Sequence, residues 1–291
     1  MNYFEYKELK SKQKNNRLFN ESKIKKAFKE RLKRKGFSTA IFEDNCKTLN
    51  VIACRRFPYN EAAIYDLLSN NLLVNKKDYI DFIWHELLHV SSTRKTDEAI
   101  YSGLYVTNQN CEPMGRGLNE GVTVLLEEML FKGITKGHDE KNDGYKLEKF
   151  LCRILYDILG DFLFECYFTA DFHSFYNYLV KFNGLEETNK FIQAFDTICL
   201  KSFYLVDSEN PDIKSIVDSY NFAIFYLLEL CIKHIVKNYE SGYINEQTYK
   251  DGIKGCLDYF SEIHIKDKNE RDYNIDKAEI RRIIEKNIPK Y

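Results

Sequence analysis

The chain has 291 residues, of which 44% are hydrophobic and 30% are charged, and its formal net charge is −1. This composition is typical of a globular protein and excludes a disordered one, and the small net charge excludes a global field that would hold the chain on nucleic acid or an anionic membrane. With only 4 prolines and 13 glycines, the chain has few helix breakers and is expected to be mostly helical.

The first part of the chain is predicted to mix helices and strands. Residues 1–20 form a polar tail. A basic helix follows at 20–36, and its lysine-rich face is interpreted as solvated, with contact to nucleic acid or anionic lipid as the alternative. The next patterns predict strands at 38–45 and 47–57, helices at 60–73 and 75–93, a strand or hairpin arm at 99–109, and a helix at 118–133.

The second part of the chain is predicted to be helical. A charged, Gly-rich stretch at 132–146 is the best linker candidate. Helical patterns then follow at 147–169, 171–182, 185–200, 212–240, 245–263 and 275–287. The expected fold class is α+β, predominantly α: a polar tail at 1–20, a mixed half with a small β-sheet at 21–135, and an all-helical half at 145–291.

The cysteines and the apolar segments bear on the location of the protein. None of the 8 cysteines forms a CxxC pair, which argues against a disulfide scaffold or a zinc knuckle, and Cys231 in an apolar helical run is expected to pack as a small hydrophobe. The N-terminus has no apolar signal segment. The most apolar window, 220–236, contains charged residues and is interpreted as a core helix rather than a membrane span. A cytoplasmic location without a transmembrane segment is expected.

The string HELLH, residues 85–89, holds the strongest chemical signal in the chain. On a helix, His85 and His89 stand one turn apart on the same face, where two imidazoles can bind one Zn²⁺ at roughly 2.0–2.1 Å each. Glu86 is then placed to act as general base on a water that the metal activates. The flanking residues are apolar, which predicts a buried helix, so the alternative is a pair of hydrogen-bonded core histidines.

A catalytic zinc needs a third protein ligand. The metzincin pattern is excluded, because Ser92 and Lys95 occupy the positions of its glycine and its third ligand. Glu120, in GLNEGVT, fits a second solution in which a later helix supplies the ligand, with Asn119 expected as the N-cap of that helix. The alternative is that Glu120 simply complements the positive end of the helix.

HELLH together with LNEG resembles the gluzincin metallopeptidases, the group that includes thermolysin-like and aminopeptidase N-like enzymes. The resemblance covers about residues 75–131 and implies a zincin-like fold in the first half. It also implies that His85, His89 and Glu120 bind one zinc ion and that Glu86 is the general base. Thermolysin-like enzymes carry an acid where this chain has Val124, so the partner that orients a ligand histidine is expected elsewhere.

A group that stabilises the oxyanion is also expected in such an enzyme. The sequence offers several candidates and singles out none of them, since each has an ordinary structural role as its alternative. They are Tyr101, Tyr105, Arg116, His138 and His173.

The leading functional hypothesis is a zinc-dependent metallohydrolase that acts on a peptide or protein substrate. One alternative is a non-catalytic or regulatory zincin-like protein, in which the zinc is structural or sensory and the protein acts through a partner; in one form of it the basic helix contacts DNA. The other alternative is a helical protein without metal. No nucleic-acid partner is expected under the leading hypothesis, and the sequence leaves the oligomeric state open.

Overall fold

The structure, a computed structural model, describes residues 21–54, 63–75, 79–108, 113–131, 145–204, 212–266 and 272–288. These residues form a mostly helical protein with small sheets, which agrees with the expected α+β, predominantly α class. A zincin-like fold for the first half stays a prediction.

The helices and strands alternate in the first part of the chain, and helices dominate afterwards. The helices are α1 (Glu21–Arg34), α2 (Ala40–Asn45), α3 (Tyr79–Ser92), α4 (Arg116–Phe131), α5 (Lys146–Leu159), α6 (Asp161–Thr169), α7 (Phe172–Asn183), α8 (Leu185–Tyr204), α9 (Ile213–Glu240), α10 (Glu246–Glu262) and α11 (Lys277–Asn287). The strands are β1 (Asn50–Cys54), β2 (Ala63–Asp66), β3 (Asn71–Asn75), β4 (Thr93–Lys95), β5 (Ala99–Ser102), β6 (Tyr105–Asn108), β7 (Pro113–Met114), β8 (His264–Lys266) and β9 (Asp272–Asn274).

Internal contacts divide the chain into two compact units. The first takes Met1–Pro113, Val122–Asp143 and Phe164–Phe172, and the second takes Met114–Gly121, Gly144–Leu163 and His173–Tyr291. Helix α4 is one unbroken helix that contributes residues to both. The predicted polar tail at 1–20 and most of the predicted linker lie outside the described residues, so the domain boundaries expected from the sequence stay predictions.

The central sheet of the first unit has the strand order β1-β3-β2. Strand β1 runs parallel to β3, while β2 pairs with β3 in antiparallel register, with Tyr65 opposite Leu72. The middle strand is the most buried, since Leu72, Leu73 and Val74 have no exposed surface. In the described part of this sheet, β2 is therefore an edge strand.

The strand expected at 38–45 is wrong, because residues 40–45 form helix α2. The segment carries residues that favour strands, but Phe42 is buried with its ring centroid 4.7 Å from that of Phe28 on α1. Packing between two helices has overridden the local β-propensity. The following prediction is confirmed in the described residues, where β1 occupies part of 47–57.

The helix expected at 60–73 is also wrong in the described residues, because 63–73 form strand β2, a turn and the first part of strand β3. Asn70 closes the turn in the left-handed region, with φ 52°, which asparagine tolerates better than most residues. Its side-chain amide donates to the carbonyl of Asn45 and to Oγ1 of Thr48. The turn therefore depends on contacts that are distant in sequence, which a periodicity argument cannot detect.

The remaining predictions for the first half agree better with the structure. The strand or hairpin arm at 99–109 is the β5–β6 hairpin, in which Gly103 takes a positive φ of 57°. The two helices that carry the predicted metal site are α3 and α4.

The second half is helical with one exception. The pattern at 147–169 is broken into α5 and α6 at Gly160, which takes a positive φ of 59°. Strands β8 and β9 pair in an antiparallel hairpin, so the expectation of an all-helical half is wrong in this detail.

Helix α9 is the one helix among the described residues that is long and apolar enough to cross a membrane by length and composition. Half of its most apolar window, 50%, is buried, and the helix packs against α5, α8, α10 and α11. A core helix of a globular protein passes the same test, so its length and composition are weak grounds for a membrane span.

Candidate metal centre

Helix α3 carries HELLH and is held by apolar contacts on its other faces. Ile83, Trp84, Leu87 and Leu88 are buried there. The helix ends at Ser92, where side-chain hydroxyls satisfy the last carbonyls: Ser92 donates to Leu88, and the following Thr93 donates to the carbonyl of His89 at 2.7 Å. The site helix is therefore fixed at its C-terminal end, next to the second histidine.

An aromatic cluster in the first unit joins α3 to α4. The ring of Trp84 on α3 stacks on that of Phe131 on α4, with centroids 4.8 Å apart, and Phe28 of α1 stacks on Phe131 at 5.5 Å. All three side chains are nearly or fully buried. Since such ring pairs stabilise more than their buried area alone, the cluster holds the two helices in a defined register.

His85 and His89 face each other with their Nε2 atoms 3.1 Å apart. Each histidine keeps only 8% of its surface exposed. Two nitrogens that each bind one zinc at about 2.0–2.1 Å, at a tetrahedral angle, lie roughly 3.3 Å from each other. The separation of the two Nε2 atoms is therefore close to that of a ligand pair.

Glu127 of α4 orients one of these rings. Its Oε2 lies 3.3 Å from Nδ1 of His85, and the carboxylate is almost completely buried. A proton on Nδ1 is donated to the carboxylate, which leaves the Nε2 lone pair of His85 directed toward His89. The sequence prediction missed this partner, which stands two helical turns after Glu120 rather than one; the signal for it was a second acid on the same face of α4 as Glu120.

Glu120 completes the cluster. Its carboxylate oxygen and one ring nitrogen each of His85 and His89 all lie within 4.8 Å of one another. Among the described residues, these three are the group of His, Cys, Asp and Glu side chains whose atoms meet closely enough to hold a metal ion. The structure thus brings together all three of the ligands expected from the sequence.

The start of α4 differs from the sequence prediction. The helix begins at Arg116, so Asn119 lies inside it and the prediction of Asn119 as N-cap is wrong. The helix end is capped instead by Asp196 of α8, which accepts hydrogen bonds from the backbone N–H groups of Gly115 at 2.9 Å and Gly117 at 2.8 Å. A carboxylate at this end satisfies two otherwise unbonded donors and complements the helix dipole.

The glycines on either side of Glu120 allow close packing. A Cβ atom at Gly117 would lie 2.1 Å from the carbonyl oxygen of Phe195, and one at Gly121 would lie 2.7 Å from Sγ of Cys152 and 2.8 Å from the carbonyl of Glu148. No side chain fits at either position. The spacing of the glycines in GLNEG therefore reflects direct backbone contact of α4 with α8 and α5, which sets the position of Glu120.

Charges around Glu120 change the acidity of its neighbours. The carboxylate of Glu120 and burial together raise the pKa of the Tyr145 phenol well above its usual range. Burial, followed by the carboxylates of Glu148 and Glu120, raises the pKa of the Cys199 thiol. Tyr145 and Cys199 therefore stay protonated near neutral pH, and the Tyr145 phenol is a hydrogen-bond donor that the sequence analysis had not considered.

Glu86, the expected general base, is bound to the edge of the central sheet. Its Oε2 accepts a hydrogen bond from the backbone N–H of Tyr65 on β2 at 2.7 Å. The side chain is half-buried beside His85. The interaction orients the Glu86 carboxylate and brings the outer edge of β2 next to the site helix.

The expected oxyanion candidates are dispersed over several elements. Tyr101 lies on β5, where the guanidinium of Arg94 is 5.5 Å from its ring, and Tyr105 lies on β6. Arg116 is the first residue of α4, and His173 is exposed on α7. His138 lies outside the described residues. Their role as oxyanion stabilisers stays a prediction.

The three donor side chains could hold a metal ion. Two imidazole nitrogens and one carboxylate oxygen form the His₂Glu combination found in catalytic zinc sites, and the buried Glu127 behind His85 is the outer partner that such histidines require. Comparison of the chain with protein families, curated proteins and solved structures found no significant match.

Proposed function

We propose that this protein is a zinc-dependent metallohydrolase that hydrolyses peptide bonds, with His85, His89 and Glu120 as the ligands of one Zn²⁺ and Glu86 as general base. The observation that carries the proposal is the convergence of the three ligand side chains, whose donor atoms lie within 4.8 Å of one another. The resemblance of HELLH and LNEG to the gluzincin metallopeptidases supports the same reading.

Different residues of the chain have different roles in the proposed hydrolysis. Bound zinc supplies a Lewis acid that polarises a carbonyl and lowers the pKa of water. Glu86 takes the proton of the attacking water and passes it to the leaving amine. The Tyr65 N–H holds Oε2 of Glu86 at 2.7 Å, so the carboxylate is oriented before substrate binds. Glu127 keeps the His85 ring in the tautomer that presents Nε2 to the metal.

The edge strand favours an extended peptide as the substrate. Because the N–H of Tyr65 donates to Glu86, it points away from β3, from the outer edge of β2 toward the site helix α3. An extended chain that pairs with this edge by main-chain hydrogen bonds would run past the base. Such an arrangement selects for polypeptide over a small amide.

Hydrolysis of a peptide library by the purified protein tests the proposal. Wild type is expected to cleave, to lose activity with a chelator and to regain it with zinc. Glu86→Gln is expected to abolish turnover while zinc stays bound, and the exposed Glu98→Gln is the matched control that keeps activity. Wild-type turnover by Glu86→Gln, or bound zinc without any hydrolysis by wild type, would contradict the proposal. The second result would favour a structural or sensory metal site.

A further inference from the structure

Two cysteines meet in the seam between helices α9 and α10 of the second unit. Sγ of Cys231 on α9 lies 3.3 Å from Sγ of Cys256 on α10. Neither residue belongs to the candidate metal centre, and both are reduced thiols in the structure. Their contact lies in the interface between the two helices.

The pairing of α9 and α10 places these thiols in register. Three residues of α9 contact α10 in turn. Cys231 contacts Cys256, Ile235 lies next to Gly252, and the ring of Tyr239 stacks on that of Tyr249 with centroids 4.6 Å apart. Successive contacts advance by about one helical turn on α9 and retreat by about one turn on α10, as in an antiparallel helix pair. The thiols therefore occupy one layer of a regular interface.

Gly252 brings the two helices close together next to that layer. A Cβ atom at Gly252 would lie only 3.3 Å from Cδ1 of Ile235. A larger residue would require the Ile235 side chain to shift. Since a disulfide requires Cα atoms about 4.4–6.8 Å apart, close approach of the helices is the main geometric condition for bridging them. Rotation of the two side chains can close the remaining gap between the sulfur atoms.

We propose that Cys231 and Cys256 form a reversible disulfide that joins α9 to α10. The oxidant is a low-molecular-weight disulfide of the glutathione class. The Cys231 thiolate attacks one sulfur of the oxidant, breaks its S–S bond and releases the first small thiol, which takes up a proton. The Cys256 thiol then gives up its proton and attacks Sγ of Cys231, which forms the internal bridge and releases the second small thiol. Two electrons pass from the cysteines to the oxidant.

The order of attack follows from exposure. Cys231 is partly exposed, whereas Cys256 keeps only 7% of its surface accessible, so an external disulfide reaches Cys231 first. The contact between the two thiols lowers the pKa of Cys231, and the same contact together with burial raises the pKa of Cys256. Cys231 is thus the attacking thiol, and Cys256 is the resolving one.

Treatment of the purified full chain with oxidised glutathione, followed by alkylation and mass spectrometry, tests the pair. Wild type is expected to lose the mass of two hydrogens and to yield a cross-linked peptide pair that contains Cys231 and Cys256. Cys256→Ser is expected to keep a glutathione adduct on Cys231, and Cys231→Ser to form no bridge. The matched control is Cys46→Ser, another partly exposed thiol, which leaves the bridge intact.

The bridge spans 25 positions of the chain, and its closure is expected to raise the unfolding midpoint by roughly 5–10 °C relative to the reduced protein. Cys231→Ser should show no such difference between oxidising and reducing buffer. An unresolved glutathione adduct on wild-type Cys231, a bridge to a different cysteine, or no reaction at Cys231 would each overturn the proposal.

Discussion

The buried carboxylate of Glu127 lies 3.3 Å from Nδ1 of His85, on the side of the ring away from His89. Because the two Nε2 atoms face each other, the role of the Glu127–His85 contact is to fix which nitrogen of His85 carries the proton. It also ties α4 to α3 two helical turns beyond Glu120. One helix therefore supplies both a proposed ligand and the residue that orients another.

Glu127→Gln is expected to weaken zinc binding about 10–100-fold, because the amide no longer offers a carboxylate to the Nδ1 proton of His85. Competition against a chromophoric chelator measures the affinity. The neighbouring Glu128 is exposed on the same helix, and Glu128→Gln is the matched control that should leave the affinity unchanged. Equal affinities for the two variants would show that Glu127 has no part in metal binding.

Asp196→Ala is expected to lower the free energy of unfolding by about 1–3 kcal/mol, because it removes the acceptor of two backbone N–H groups at the start of α4. Thermal or urea unfolding measures the loss, and zinc affinity should fall in parallel because Glu120 lies one turn further along. The exposed Asp218→Asn serves as control. A variant as stable as wild type would mean that water replaces the carboxylate at no cost.

Gly117→Ala is expected to destabilise the protein by about 1–3 kcal/mol, since its methyl group would overlap the carbonyl of Phe195. Gly255→Ala in α10 has open space around the new methyl group and should stabilise the protein by roughly 0.5–1 kcal/mol. Unfolding curves of the two variants give the comparison. A Gly117→Ala variant at least as stable as wild type would contradict the close packing of α4 on α8.

The interactions of the Glu43 carboxylate predict how the stability of the protein depends on pH. The Oγ1 of Thr39 and the ammonium of Lys29 donate hydrogen bonds to this carboxylate, and these lower its pKa from 4.5 to about 2. A lowered folded-state pKa stabilises the protein at pH above the unfolded value, and this stabilisation is lost as the pH falls toward the folded value. Wild type should thus be more stable than Glu43→Gln at neutral pH, and the difference should shrink below about pH 4.5.

Urea unfolding of both proteins as a function of pH measures this difference. Because the Glu43 carboxylate is exposed and its partners Lys29 and Lys33 lie at the surface, high salt should also reduce it. A difference that grew on acidification would contradict the assignment.

The sequence predicted the helices that carry HELLH and GLNEG better than it predicted the sheet. The i, i+4 histidines and the apolar faces of α3 and α4 are local patterns with helical period, so both helices could be expected from the residues alone. The acid on the second helix was likewise expected, and the structure places Glu120 beside His85 and His89.

The errors came from features that depend on distant contacts. Residues 60–73 read as a helix because the turn at Asn70 is held by Asn45 and Thr48, which lie far away in sequence. The cap of α4 comes from Asp196 on another helix rather than from Asn119, and no local pattern marks that residue. The position of Glu127, two turns after Glu120 on α4, could have indicated a second functional acid. Its contact with His85, however, depends on the packing of α3 against α4.

The most direct test of the account is the metal content of the purified protein, measured by elemental analysis after dialysis. Wild type is expected to retain about one zinc per chain, as in other sites with one set of three ligands. The variants His85→Ala, His89→Ala and Glu120→Ala should lose it, whereas the exposed His173→Ala should keep it. Wild type without zinc, or zinc retained by a correctly folded His85→Ala and His89→Ala double variant, would contradict the proposed metal centre.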